Sequence, residues 1–495
     1  MIYTDDQGYG DVSALNPEAK FKTPHLDSLI NNGLAFTNAH SPDTICTPSR
    51  YGLLTGRYSW RTHFKTGVFG AERKCLIDDD RLTIASMLRT QGYATAMVGK
   101  WHLGMDFPGT NHSNRDWSKP ILDMPLDKGF DYFYGIPASL NFGLLGWIEG
   151  RHMTVPPTVF TNKKKNPRYL DYRIMPPYEE TAKKSTDPTR TIKRNFEIAP
   201  DFIDNQCLTR FTDQAMKWIT KTTTANPEKP FFLYLPFTSP HYPVCPLPEF
   251  HGQGEAGPYG EFMIETDHHI GRLMAHLKKH KLDQNTLILF SSDNGPEKSW
   301  PSRLKETKHD SRGGFREGKR SVYEGGHRVP FIAHWPAGII EPGRRHSGLV
   351  GQVDIIATLA QLTGYQLPAT AGEDSISFAP ALKNESLSSP RLPLINHGNP
   401  SAQYAITEGS WKLIKGYKTE KKELKDQLYN LAEDPSETTN LATQHPEKVK
   451  TLTTKLNTII TKGRTTPGPA QPNDTGHWKE LRWLTPKQYQ TLANQ

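Results

Sequence analysis

Six short stretches of this sequence carry side chains able to do chemistry. Cys46-Thr47-Pro48-Ser49-Arg50, running on through Tyr51-Gly52-Leu53-Leu54-Thr55-Gly56, places a cysteine where a loop enters a helix. Pro48 suits the first helical turn, where a missing N–H costs nothing; Leu53 and Leu54 give the helix an apolar face, and Gly56 can end it. The helix N-terminus and Arg50 would give the thiol thiolate character. Spacing alone does not separate that nucleophile from an inert cysteine. Asp5-Asp6-Gln7-Gly8-Tyr9-Gly10-Asp11 sets two adjacent carboxylates in a glycine-bearing loop, and Asp293-Asn294-Gly295 adds a carboxylate and an amide oxygen. Oxygen groups of this kind suit a hard cation. From the residues alone, a turn with solvated acids is the better reading of the first loop. Gly99-Lys100-Trp101-His102-Leu103-Gly104 offers a point charge for an anionic ester and a ring that moves protons near neutral pH. His241, in Thr238-Ser239-Pro240-His241-Tyr242-Pro243, and Lys319, in the run Gly318 to Pro330, complete the set.

Strands must hold these groups. Ile2 to Thr4, Ala94 to Val98, Phe231 to Phe237 and Thr286 to Ser292 are short apolar runs, as expected of parallel strands buried on both faces. Each ends at one of the reactive stretches, and open α/β sheets place ligands at that edge. Leu34 to Thr37 and Phe331 to Trp335 read as further strands. Helices are expected over Pro24–Ile30, from a Thr83 cap through Arg89, over Tyr259–His280 and over Asp354–Leu362, the last ended by Gly364. His268, His269 and His276 read as surface residues of the third of these. Residues 140–200 are rich in Pro, Lys and Arg and read as loops over the mouth of the site. A composition shift near 365–392 marks a join. Beyond it lie a hairpin over Tyr404–Ile414 with Glu408-Gly409 at its turn, a strand at Gln427–Leu431 and a helix over His445–Lys462.

The 495 residues carry 60 Lys and Arg against 52 Asp and Glu, a net charge of +8. That field would steer an anionic substrate, or simply aid solubility. Nucleic acid is not expected, because runs such as Lys163-Lys164-Lys165 lie apart and lack stacking aromatics. No run approaches the roughly 18 apolar residues of a membrane span. Four cysteines are too few for a disulfide scaffold.

Around Cys46 the chain resembles the type I sulfatases of the alkaline phosphatase superfamily. Their signature, C-x-P-x-R followed by x-x-L-L-T-G, is matched at Cys46, Pro48, Arg50, Leu53, Leu54, Thr55 and Gly56. The motifs D-D-x-G-Y-G-D, G-K-W-H-L-G, S/T-x-P-H-x-P, S-D-N-G and E-G-G-x-R-x-P follow in family order. The resemblance implies a large, mostly parallel central sheet flanked by helices over residues 1–375. It also implies a smaller antiparallel-sheet domain packed by a helix over 376–495. It implies conversion of Cys46 to formylglycine by a formylglycine-generating enzyme, and a Ca²⁺ ion, with Mg²⁺ as the alternative, on Asp5, Asp6, Asp293, Asn294 and residue 46. One hydroxyl of the hydrated aldehyde would attack sulfur and form a formylglycine-sulfate intermediate. Arg50 would favour its ionised form, Lys100 and Lys319 would hold the sulfate, and His241 would protonate the departing alcohol. His102 would take the proton of the second hydroxyl. Ser139 and His397 stand where relatives contact substrate. The substrate implied is a sulfate ester on a carbohydrate or other small molecule.

In the family a longer hydrophobic strand and often a secretory signal precede the first aspartates. The abrupt opening at Met1 therefore reads as a shortened N-terminus, with a periplasmic or secreted location implied. Two rivals stay open at this level: a phosphate-ester or phosphonate hydrolase of the same superfamily, and a sulfoglycan-binding protein with an unmodified Cys46.

Overall fold

The computed structural model describes residues 1–110, 114–161, 196–339, 341–385, 391–418 and 423–495. Among them, ten strands form a mixed central sheet. Its core is five parallel strands in the spatial order Ile288–Ser292, Ile2–Asp5, Phe231–Pro240, Ala94–Lys100 and Tyr132–Ile136. Phe331–His334 flanks the first of these antiparallel, and Leu34–Phe36 follows it. Alternation along each strand sorts side chains to two faces. Tyr3, Phe232, Tyr234 and Leu289 pack with the helices Cys46–Thr55, Ile84–Thr90 and Ile355–Thr363. Ile2, Leu233, Leu235 and Phe290 pack with Pro24–Asn31, Cys207–Ala225 and Gly257–Lys279. Burial on both faces explains why these strands read as continuous apolar runs.

The helix starts follow local rules. Thr83 caps Ile84–Thr90, its Oγ1 accepting from the Ser86 amide. Gly364, at φ 73°, closes Ile355–Thr363. The helix Cys46–Thr55 differs from its expected amphipathic form: every one of its residues is buried. It runs through the interior between the sheet and the helix Ile355–Thr363, so Leu53 and Leu54 mark one packed face of several. His269 also departs from expectation. It lies 2% exposed against the helix Cys207–Ala225, within reach of Thr209, whereas His268 is exposed.

The second, smaller sheet is antiparallel throughout, in the order Leu394–Gly398, Gln403–Glu408, Trp411–Ile414, Gln427–Asn430. The helix Pro446–Thr461 packs on it through Leu452, Leu456, Ile459 and Ile460, against Tyr404, Ile406, Leu413 and Leu428. Its hairpin turn is Gly409-Ser410, one residue later than expected, because Glu408 still pairs with Trp411 and Gly409 takes the positive φ of 58°. Between 140 and 200 the described residues form short strands rather than plain loops, with Phe196–Ile198 joining Leu144–Leu145 and Val159–Thr161. The rest of that expected insertion, 162–195, lies outside the described residues.

Candidate active site

The carboxyl ends of the central strands meet at one buried point. Asp5 closes Ile2–Asp5, and the chain turns at Asp6 in the left-handed region, φ 67°. Asp293 and Asn294 follow Ile288–Ser292, and their loop is pinned because the Asp6 amide donates to Asp293 Oδ1 at 3.1 Å. Gly295 is required there: a Cβ would meet the Gly325 carbonyl oxygen at 1.8 Å. Cys46 starts its helix directly opposite. Ligand atoms of Asp5, Asp6, Cys46 and His241 all lie within 4.8 Å of one another.

Three cations face three carboxylates. Lys100 Nζ donates to Asp5 Oδ2. Lys319 Nζ donates to both oxygens of Asp6, at 2.6 and 2.8 Å. Arg50 donates to Asp293 Oδ2 from Nη2 at 2.8 Å and from Nε at 3.2 Å, and its Nη1 reaches the Lys100 carbonyl at 3.1 Å. Against the desolvation of burial, Lys100, His241 and Arg50 hold Asp5 below the usual carboxylate range. Burial works against the Lys319 ammonium too, and Asp6 keeps it well above its ordinary value. Buried charges persist only where they are paired in this way.

The residue set also fits a hard cation. Asp5 Oδ1 and Asn294 Oδ1 are buried oxygens with no hydrogen-bond partner, beside further carboxylate oxygens. Orphaned acceptors of this kind are what Ca²⁺ or Mg²⁺ takes as ligands.

The expected thiolate is not supported by the surroundings of Cys46. The thiol is 2% exposed, and burial pushes its pKa up to about 12, with Lys100 and Lys319 pulling the other way. Desolvation outweighs the helix N-terminus, and Arg50 is spent on Asp293 rather than on sulfur.

His102 sits just past the strand end, at φ 61°. Its Nε2 meets the Phe69 carbonyl at 2.9 Å. A carbonyl only accepts, so Nε2 carries the proton and Nδ1 is left bare, buried and without a partner. Burial, then Lys100 and Arg50, lowers its pKa well below the ordinary histidine range. His241 is turned by its Nδ1–H to the Tyr242 carbonyl, which leaves Nε2 3.7 Å from Asp6. Ser139 is buried with its hydroxyl unpartnered, two residues past Pro137, whose carbonyl accepts from the His102 amide. His397 is not a loop residue: it lies in the strand Leu394–Gly398, its Nδ1 2.9 Å from Asp43 and its Nε2 bare.

With this geometry in view, comparison with known proteins is direct. A sequence model described as "Sulfatase" matches residues 1–365, about three quarters of the chain. The chain belongs to the sulfatase family.

This sulfatase is also matched over 314–465 by a model described as "N-sulphoglucosamine sulphohydrolase, C-terminal". It is similar to an N-acetylgalactosamine-6-O-sulfatase of Bacteroides thetaiotaomicron, at 34% identity over 93% of this chain and 92% of that protein. It is similar to human arylsulfatase A, at 32% identity over 74% of this chain and 64% of the relative. A solved structure described with the metabolism of multiple glycosaminoglycans by Bacteroides thetaiotaomicron superposes with a TM-score of 0.78 at 31% identity, covering 93% of this chain and 98% of that one. The family is one of sulfuric ester hydrolases, and a metal ion and formylglycine belong to it in general.

Three residues that sequence reasoning left without a role bear on this sulfatase's site. Asp11 accepts from the Gly8 amide at 2.8 Å and from the Tyr259 hydroxyl at 2.6 Å, and meets His309 at 2.7 Å, so it clamps the loop that carries Asp5 and Asp6. Asp43 orients His397 across 354 residues of sequence. Glu297 pairs with Arg320 at 2.6 Å and lies 3.5 Å from Lys319. Its one signal in the sequence was its place two residues after Gly295. Among the described residues, no helix is long and apolar enough to cross a membrane.

Proposed function

We propose that this sulfatase removes a sulfate ester from a sulfated carbohydrate, with Cys46 converted to formylglycine and Ca²⁺ as its ion. The observation that carries the reading is the convergence of Cys46, Asp5, Asp6 and His241 within 4.8 Å, flanked by Lys100 and Lys319. Asp5, Asp6, Asp293 and Asn294 would hold the ion, which supplies a Lewis acid for the sulfate oxygens and for the attacking oxygen. Formylglycine supplies an aldehyde carbon that can carry the attacking oxygen and can let sulfate go by carbonyl formation. The chain's own groups do the rest. Lys100 and Lys319 place two positive charges where sulfate charge builds. Arg50 fixes Asp293 and so the ligand cage. His241, its Nδ1–H held by the Tyr242 carbonyl, turns Nε2 to the departing alcohol oxygen and, as the doubly protonated ring, gives it the Nε2 proton. His102, with a bare Nδ1, takes a proton from the group at position 46.

The carbohydrate part of the reading draws on the names of the relatives, several of which act on sulfated amino sugars. Ser139 and His397, both buried with bare polar atoms, serve as contacts to the sugar. The same reading divides the chain at about residue 375, has a formylglycine-generating enzyme act on it, and places it in the periplasm or outside the cell.

The test uses protein co-produced with a formylglycine-generating enzyme. The mass of the peptide containing residue 46 is recorded, then rates on 4-nitrophenyl sulfate, 4-nitrophenyl phosphate and a panel of sulfated sugars. An aldehyde at 46, a rate on sulfate far above that on phosphate, and turnover of at least one sulfated sugar are expected. A persistent thiol would overturn the formylglycine assignment, and activity on aryl sulfate alone would overturn the carbohydrate one.

A further inference from the structure

A second buried ionic cluster lies away from the reacting atoms, between the two sheets. Lys412, in the strand Trp411–Ile414 of the small sheet, is fully buried. Its Nζ donates to Glu324 at 2.8 Å, lies 2.9 Å from Glu437 and is 3.1 Å from His327 Nε2. Glu324 and His327 are the two ends of the short helix Glu324–His327. Glu437 grips the same helix from its start, accepting from the Glu324 amide at 2.6 Å. On its far side the helix is held by His40, whose Nδ1 meets His327 Nδ1 at 2.9 Å.

That short helix touches the reactive loops through its backbone. The Gly326 carbonyl accepts from the Gly295 amide at 2.9 Å, next to Asn294. The Gly325 amide donates to the Arg316 carbonyl at 2.8 Å, at the root of the Lys319 loop. The Lys319 amide in turn donates to the Pro296 carbonyl at 2.9 Å, and the Arg320 amide to the Thr44 carbonyl at 2.9 Å, two residues before Cys46. There is no room for slack, because a Cβ on Gly325 would meet the Glu317 carbonyl oxygen at 2.2 Å and one on Gly326 the Ser321 carbonyl oxygen at 1.9 Å.

We propose that Lys412 is a positioning residue of the sulfatase site: with Glu437 it fixes the Glu324–His327 turn, and through that turn the places of Asn294 and Lys319. The small sheet is thereby part of the active site's scaffold, although it supplies no group to the cation cage. This rests on the reading of Asn294 as an ion ligand and Lys319 as a sulfate contact. Burying Lys412 between two carboxylates stabilises little by itself, since a buried ion pair rarely outdoes apolar packing. What it provides is a fixed geometry, because one ammonium reaches Glu324 and Glu437 together only in one arrangement.

The test compares Lys412→Met with Leu452→Ala, which loosens the apolar core of the same sheet without touching the cluster. Melting temperature, calcium affinity by calorimetry, and kcat and KM on 4-nitrophenyl sulfate are measured for both. Lys412→Met is expected to weaken calcium binding and to lower kcat/KM, each by about 10- to 100-fold, as removal of an outer support of a metal site typically does. Leu452→Ala is expected to lower the melting temperature and leave both constants alone. A folded Lys412→Met enzyme with unchanged calcium affinity and kcat/KM overturns the proposal, as does an equal change in Leu452→Ala at the same loss of melting temperature. Should Lys412→Met not fold, Glu437→Gln, which keeps the Lys412–Glu324 pair, is read the same way. Lys319→Ala is run beside them. If it keeps full activity, the reading of the site fails; if it is crippled while Lys412→Met is normal, only the role of Lys412 falls.

Discussion

Arg50 and Asp293, 243 residues apart in sequence, are joined by two hydrogen bonds to one carboxylate oxygen, at 2.8 and 3.2 Å, with neither side chain exposed. The same guanidinium lies 3.7 Å from Asp5. The helix that begins with Cys46 is thus tied to the strand end that carries Asp293.

Removing that tie strands a charge. Arg50→Ala leaves Asp293 buried beside Asp5 with no cation of its own, and breaking a buried pair costs about 3–5 kcal/mol. A fall of that order in urea-unfolding free energy is expected, together with loss of turnover. Arg50→Lys keeps the charge but lacks the planar fork that donates twice to Asp293 while reaching the Lys100 carbonyl, so it should restore stability in part and activity poorly. Wild-type stability in Arg50→Ala would contradict the pairing.

The two site lysines each pair with a buried carboxylate, so their variants are compared as protein shown by circular dichroism to be folded. Lys100→Ala or Lys319→Ala removes one preorganised charge from the sulfate, a loss comparable to that of an oxyanion donor, about 10²- to 10³-fold in kcat/KM. Steady-state kinetics on 4-nitrophenyl sulfate measure it. A change below tenfold in either variant would remove that lysine from the role assigned here.

If His241 protonates the leaving oxygen, its loss depends on the leaving group. His241→Asn should cost about 10²- to 10⁴-fold on an alkyl sulfate and much less on 4-nitrophenyl sulfate, whose phenolate needs little help. Equal losses on the two substrates would place His241 elsewhere in the reaction.

Chelation should silence the enzyme without unfolding it. Arg50, Lys100 and Lys319 already offset Asp293, Asp5 and Asp6 pair by pair, so the cage does not rely on the ion to cancel its charge. Treatment with a chelator is expected to abolish activity and keep the circular dichroism spectrum, and Ca²⁺ should restore turnover. Collapse of the spectrum would show that charge pairing is insufficient.

Acid should destabilise the cluster between the sheets first. Burial, assisted by Arg328, Lys412 and Arg391 and opposed by Glu324, lowers the pKa of His40 to about 3. Between pH 6.5 and about 3 the unfolded chain therefore binds a proton at this position that the folded chain does not. The contribution of His40 to stability is full above pH 6.5 and falls as the pH drops, by about 1.4 kcal/mol per pH unit. Urea midpoints from pH 7 to 4 should decline, and His40→Asn should flatten that slope. Parallel slopes for the two proteins would mean that His40 is protonated in the folded state.

Much of this was written in the chain. The parallel strands were legible because burial on both faces demands unbroken apolar runs, as in Phe231–Pro240. Four of the six reactive stretches were legible because each follows such a strand. The sequence alone determined which groups are present: a cysteine at a helix start, four oxygen-bearing side chains able to bind a hard cation, two lysines, two histidines. Tertiary structure decided what each group experiences. Cys46 looked acidic beside a helix N-terminus and Arg50, yet enclosure on all sides raises its pKa, since desolvation depends on neighbours far away in sequence. The His102 ring is held by the Phe69 carbonyl, 33 positions away in sequence. The pairing of Asp43 with His397, and the grip of Lys412 on Glu324, join residues 354 and 88 positions apart. No local pattern encodes such contacts, because they form only when the small sheet closes against the large one.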